Sequence, residues 1–148
     1  MGFELSRRHL LAGLALVAVP AQAASPIIVH RDPGCGCCEK WTGMARRILG
    51  RPIRVIEDPN RAALHRQIGM PANLASCHTA LIDGLAFEGH VPFADVKRLL
   101  ATKPRGVRGL AVPGMPLGSP GMEVPGMAPH NFAVLSFGSN APAIYSRH

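Results

Sequence analysis

The sequence predicts an α/β domain of the α+β kind, a central mixed sheet with flanking helices and a long loop rich in Gly, Pro and Met. Three observations carry this expectation. Between residues 27 and 103, short apolar β-branched runs alternate with stretches whose apolar residues recur at helical spacing. The 148 residues include 16 Gly and 14 Pro, too much backbone punctuation for a helical bundle. Residues 104–130 follow neither period, yet strand-like runs come after them, so a long loop is expected to be pinned at both ends.

The first residues are set apart from the fold. Ser6-Arg7-Arg8-His9-Leu10-Leu11 places two arginines before the uncharged run Leu10–Val19, and Ala21-Gln22-Ala23 follows. This is the pattern of an export signal, residues 1–23, cleaved after Ala23; the 10-residue apolar run is too short to span a bilayer. The paired arginines after Ser resemble a twin-arginine signal, and a general secretory signal is the alternative. What remains, residues 24–148, is expected to be one domain with no stable membrane insertion. Either export route would deliver its cysteines to an oxidising compartment, the periplasm.

Ile27-Ile28-Val29-His30 reads as a buried strand that stops at Asp32-Pro33-Gly34. From Cys37 the apolar residues Trp41, Met44, Ala45, Ile48 and Leu49 predict a helix, with Gly50-Arg51-Pro52 as its stop. Ile53–Ile56 alternates like a strand, and Asp58-Pro59 predicts the cap and first turn of a helix running to Gly69. Thr79–Ile82, Asp83-Gly84 and Leu85–Phe87 predict a hairpin with a two-residue turn. A helix then starts near Pro92, with Phe93, Val96, Leu99 and Leu100 on one face, and ends before Pro104. The order strand, helix, strand, helix, strand, strand, helix is that of a thioredoxin-like fold. Phe132–Phe137 and Ala143–Tyr145 add strands around a Gly138-Ser139-Asn140 turn.

The formal charge is +7, and without residues 1–23 it is about +6, from 14 Lys and Arg against 8 Asp and Glu. The arginines are scattered, without a stripe or interleaved aromatics, so nucleic acid is excluded as the expected partner and a solvated basic surface is read instead.

Four cysteines carry the chemistry. Cys35-Gly36-Cys37-Cys38 contains both C-x-x-C, the spacing of a dithiol redox pair, and C-x-C. Adjacent Cys37 and Cys38 cannot both pair locally, which excludes an ordinary disulfide framework. A helix N-terminus favours thiolate over thiol, and this serves nucleophilic attack and metal ligation alike. The third thiol discriminates: beside a redox pair it would scramble the disulfide, whereas three thiolates on one turn make a bridging site for a soft metal. Cys77-His78 precedes the third strand, on the loop that faces the first helix in this topology, with no proline in the five residues before Thr79. That pairing of a soft and a borderline ligand strengthens the metal reading. His90, in Glu88-Gly89-His90-Val91-Pro92, is read as a ligand, with a supporting or helix-capping role left open. His65 and His148 are read as solvated, and His30 and His130 as weaker candidates. Pro113-Gly114-Met115, Pro120-Gly121-Met122 and Pro125-Gly126-Met127 place thioethers on stiffened backbone, suited to Cu(I) and poorly suited to zinc, or else gap-fillers between loop and core.

Cys35-Gly36-Cys37-Cys38 with Trp41, Ser76-Cys77-His78-Thr79-Ala80, Glu88–Pro92 and the stretch from Gly109 to Glu123 together resemble the exported CopG-type copper-resistance proteins, which are distinct from the DNA-binding repressors of the same name. The likeness spans about residues 27–145; the Met127 repeat stands outside it. The resemblance implies a thioredoxin-like fold that holds copper through the cysteine motif, as a multinuclear thiolate-bridged cluster, in periplasmic copper handling alongside other copper-handling proteins. The expected ligands are Cys35, Cys37, Cys38, Cys77, His78 and His90, with Met115 or Met122 covering the site, and copper, as Cu(I), the bound ion. Whether the copper also changes oxidation state stays open at this point. Two other classes are weighed: a thiol-disulfide oxidoreductase using Cys35 and Cys38, and a structural zinc site of the Cys₃His kind.

Overall fold

The structure, a computed structural model, describes residues 24–148. The expected export signal lies outside the described residues. The elements run β1 (Ile27–Arg31), α1 (Gly36–Leu49), β2 (Ile53–Glu57), α2 (Ala62–Ile68), a 3₁₀ turn (Ala72–Leu74), β3 (His78–Ile82), β4 (Leu85–Glu88), α3 (Phe93–Thr102), β5 (Val107–Ala111), β6 (Ala133–Gly138) and β7 (Ala143–Arg147). The strands form one mixed sheet in the order β2-β1-β3-β4-β5-β6-β7. The pairs β1/β2 and β4/β5 are parallel and the rest antiparallel. This is the expected mixed α/β architecture.

Alternation along the strands divides the core between the two faces of the sheet. Ala80, Ile82, Phe87, Leu110 and Val134 pack with Trp41 and Ala45 of α1 and Phe93, Val96 and Leu99 of α3. The intervening Leu81, Ala86 and Ala111 pack with Phe137 and with Ile68, Met70 and Leu74 around α2. The Asp83-Gly84 turn has positive φ at both residues, 50° and 81°, as a tight hairpin requires.

Two expectations are corrected. The helix foreseen from Asp58-Pro59 begins only at Ala62, because Asp58 is used elsewhere: its carboxylate faces His30 Nδ1 at 3.1 Å and accepts the Asn60 N–H. The aperiodic stretch 104–130 contains strand β5, flanked on both sides by β4 and β6. Its pattern was hidden by Gly109, where a Cβ would collide with the Ala86 carbonyl and the Phe137 ring; the glycine serves close packing, not a turn.

Candidate metal centre

The turn Asp32-Pro33-Gly34 carries the chain off β1 and delivers Cys35 as the N-cap of α1, where its Sγ accepts the Cys38 N–H at 3.3 Å. Gly50 closes the other end in the left-handed conformation, behind Arg46 and Arg47, which suit the negative end of the helix dipole. The register of β3 against β1 pairs His78 with Arg31, and the Asp32 N–H donates to the Cys77 carbonyl at 3.1 Å. Cys77-His78 therefore lies directly beside the loop that bears Cys35. The β4 strand returns alongside β3, and the Gly89 N–H donates to the His78 carbonyl at 2.8 Å, which brings His90 up to Cys77. Gly89 must be glycine: its φ is +70°, and a Cβ there would lie 2.6 Å from the Val112 carbonyl and 2.7 Å from Ser76 Oγ.

Cys35 and Cys38 are joined as a disulfide, while Cys37 and Cys77 are free. Three thiolates on one turn, as read from the sequence, is thus an arrangement for the reduced chain; the observed form is the C-x-x-C pair. Cys37 Sγ lies 3.5 Å from Cys35 Sγ, and the sulfurs of Cys35, Cys37, Cys38 and Cys77 all lie within 4.8 Å of one another. A second mutually close group is formed by Cys77, His78 and His90. Cys77 Sγ is 3.2 Å from His90 Nε2 and 3.5 Å from His78 Nδ1. His90 Nδ1 donates to the Pro120 carbonyl at 2.8 Å, which fixes the tautomer and leaves the Nε2 lone pair facing Cys77.

Burial decides the charge states. Both histidines are fully buried, and burial, with His90 as neighbour, drives His78 down to about 3. Burial also lowers His90, against the opposing pull of its bond to Pro120. Burial and the neighbouring Cys37 push the Cys77 thiol up to about 12. Neutral imidazoles are ready to ligate, and a cation entering would have to displace the Cys77 proton.

The methionine loop folds over this cluster. Met115 Sδ meets Cys37 Sγ at 3.8 Å. Gly121 rests on the first turn of α1, where a Cβ would be 3.0 Å from the Cys37 carbonyl. Met122 enters through its backbone, its N–H donating to Ser119 and its carbonyl accepting from Gly118. Met127 is 59% exposed, beside Leu117, Val124 and Pro129.

The sequence reading missed the support behind Cys77-His78. Glu88, fully buried at the end of β4, accepts the Ser76 N–H at 2.7 Å and the Thr79 hydroxyl, so its carboxylate clamps the residues on either side of the pair. Arg61 donates to the Ser76 carbonyl at 2.8 Å and to Asp32 at 2.7 Å, and Ser76 Oγ donates to the Gly114 carbonyl at 2.8 Å. Burial pushes the Glu88 carboxyl up to about 7, with the Thr79 and Ser76 bonds opposing. His65, expected in solvent, stands at this clamp with Nε2 3.3 Å from Thr79 Oγ1; His148, likewise expected in solvent, lies 2.7 Å from the buried Asp95. A charged residue closing the apolar run Leu85–Phe87 was the available signal.

A family model described as DUF411, a protein family of unknown function, matches residues 74–122, which include Cys77, His78, Glu88, His90, Met115 and Met122. A solved structure titled copper resistance protein CopG, form 1, superposes with a TM-score of 0.75 at 36% identity, over 84% of this chain and 98% of that one. The chain belongs to the CopG family. Form 2 of CopG superposes similarly, with a TM-score of 0.73 at 36% identity over 84% of this chain and 99% of that one. No curated protein sequence matches. Coverage of the CopG structures is nearly complete. Among the described residues no helix is long and apolar enough to cross a membrane.

Proposed function

We propose that this CopG-family chain is a periplasmic copper-resistance protein that holds Cu(I) in a multinuclear centre. In the reduced chain, Cys35, Cys37, Cys38 and Cys77 supply bridging thiolates, His78 from β3 and His90 from the turn after β4 close the site, and Met115 or Met122 covers it. The observation that carries this reading is the gathering of four cysteine sulfurs within 4.8 Å of one another. Thiolates and thioethers are soft donors, and several thiolates within bridging distance suit a soft monovalent ion better than a single hard one. The likeness to the CopG copper-resistance proteins and the leader pattern around Arg7-Arg8 support the physiological setting.

The test is anaerobic loading of the reduced protein with Cu(I). The wild type is expected to retain more than one copper per chain after desalting, and retention no greater than in a Cys37→Ser variant would sink the proposal. A second reading is supported by the Cys35–Cys38 disulfide at the start of α1, the position of a dithiol exchanger. Reduction of a model disulfide by metal-free protein, abolished by Cys35→Ser and indifferent to Cys77→Ser, would favour it.

A further inference from the structure

The donors fall into two sets that share one atom. Cys35, Cys37, Cys38 and Cys77 make an all-sulfur set; Cys77, His78 and His90 make a set of one sulfur and two nitrogens. The disulfide treats them differently. Thiolate is the metal-binding form of cysteine, so joining Cys35 to Cys38 removes two of the four sulfur donors. It leaves all three members of the second set intact.

We infer that closing the Cys35–Cys38 disulfide converts the centre into a mononuclear site for a divalent borderline cation, held by Cys77 Sγ, His78 and His90. This rests on the proposed function only for what the reduced chain holds. The spacing fits. A metal about 2.3 Å from sulfur and about 2.0–2.1 Å from nitrogen, at a tetrahedral angle, separates the two donors by about 3.6 Å. The observed separations from Cys77 Sγ are 3.5 Å to His78 Nδ1 and 3.2 Å to His90 Nε2, so ligation needs the donors to part by a few tenths of an ångström. His90 is already held in the ligating tautomer by the Pro120 carbonyl. Among the described residues His78 Nε2 has no hydrogen-bond partner, and Nδ1 is the ring atom that faces Cys77. One thiolate with two imidazoles suits divalent copper, zinc or cobalt, and is a harder set than four thiolates. Three protein ligands leave a fourth position for water or another exogenous ligand.

Closing the disulfide takes two electrons and two protons from the Cys35 and Cys38 thiols. An external disulfide accepts both and becomes two thiols, and an external dithiol reverses the step. Donor softness thereby follows the thiol–disulfide poise of the surroundings.

The experiment titrates the disulfide form anaerobically with Co(II), a probe that thiols do not reduce. The disulfide form is first verified by alkylation of two thiols per chain. The expected result is one Co(II) per chain with a thiolate-to-metal charge-transfer band. Cys77→Ser should abolish the band. His90→Gln, whose amide can still donate to Pro120, should weaken binding at least tenfold, and Met127→Leu, at an exposed position, should leave it within about twofold. Absence of the band in the wild-type disulfide form would overturn the inference whether or not the variants fold. So would a band lost with Cys37→Ser but kept in Cys77→Ser. Cu(I) retention by the reduced wild type is read separately, so failure of the cobalt arm alone removes this inference and leaves the proposed function standing.

Discussion

Glu88→Gln exchanges the buried carboxylate behind Cys77-His78 for a neutral isostere. The Gln carbonyl can still accept the Ser76 N–H, and its amide can donate to Thr79 Oγ1, freeing that hydroxyl toward His65 Nε2 at 3.3 Å. The two side chains then differ mainly in charge. In the native chain burial raises the Glu88 carboxyl from 4.5 to about 7, so the folded state holds its proton more tightly than the unfolded state. The associated stability is fully present below pH 4.5 and is lost as the pH rises through 7. A shift of that size corresponds to about 3 kcal/mol. Urea unfolding of the metal-free, disulfide-intact proteins from pH 4 to 8 should show Glu88→Gln gaining about 3 kcal/mol on wild type across this window, with nearly all the change between pH 4.5 and 7. Comparing the two chains cancels the buried histidines, which titrate nearby with the opposite sign. A stability difference that stays flat over the window would refute the claim that Glu88 is buried as a proton-holding acid.

The remaining expectations concern the same neighbourhood. His78, lowered by burial from 6.5 to about 3, contributes stability that is present above pH 6.5 and lost as the pH falls toward 3, by roughly 5 kcal/mol; acid unfolding of His78→Gln should lack most of that loss. Gly89→Ala places a Cβ 2.6 Å from the Val112 carbonyl at a φ of +70°, and a cost of about 2–4 kcal/mol should appear as a lower urea midpoint with an unchanged slope. Under non-reducing conditions two thiols per chain should alkylate, the half-buried Cys37 first and Cys77 more slowly, because Cys77 is buried and its thiol is pushed up to about 12; peptide mass mapping over time distinguishes them. Trp41→Phe leaves the Val91 carbonyl without its partner at 3.2 Å and should cost about 1–3 kcal/mol by the same urea assay.

Much of this fold is legible in local sequence. Helix α1 announces itself through Trp41, Ala45 and Leu49 on one face and Gly50-Arg51-Pro52 at its end, because a 14-residue helix repeats its buried stripe several times. The β3-β4 hairpin announces itself through Asp83-Gly84, which nearly alone satisfies a turn with two positive φ values. Strand β5 gives no such sign. Its five residues include a glycine selected by neighbours from β4 and β6, and those neighbours are joined to it by sheet pairing rather than by position along the chain. The start of α2 fails for a related reason: the Asp58 side chain, a natural cap, is taken by His30 from β1.

The candidate centre divides the same way. Sequence by itself determined the donor inventory: four cysteines, with Cys35, Cys37 and Cys38 on one turn, Cys77 adjacent to His78, and His90 and the Pro-Gly-Met tripeptides farther on. Donor chemistry is a property of residue type and short spacing, so it survives without a fold. Only the tertiary structure decided which donors meet. The antiparallel register of β1, β3 and β4 brings Cys77 to both the cysteine turn and His90, and the loop places the Pro120 carbonyl on His90 and Met115 on Cys37. It also buried Glu88, the one acid that holds Ser76 and Thr79 around the pair. Burial, register and tautomer arise from contacts between segments tens of residues apart, and no local pattern encodes them.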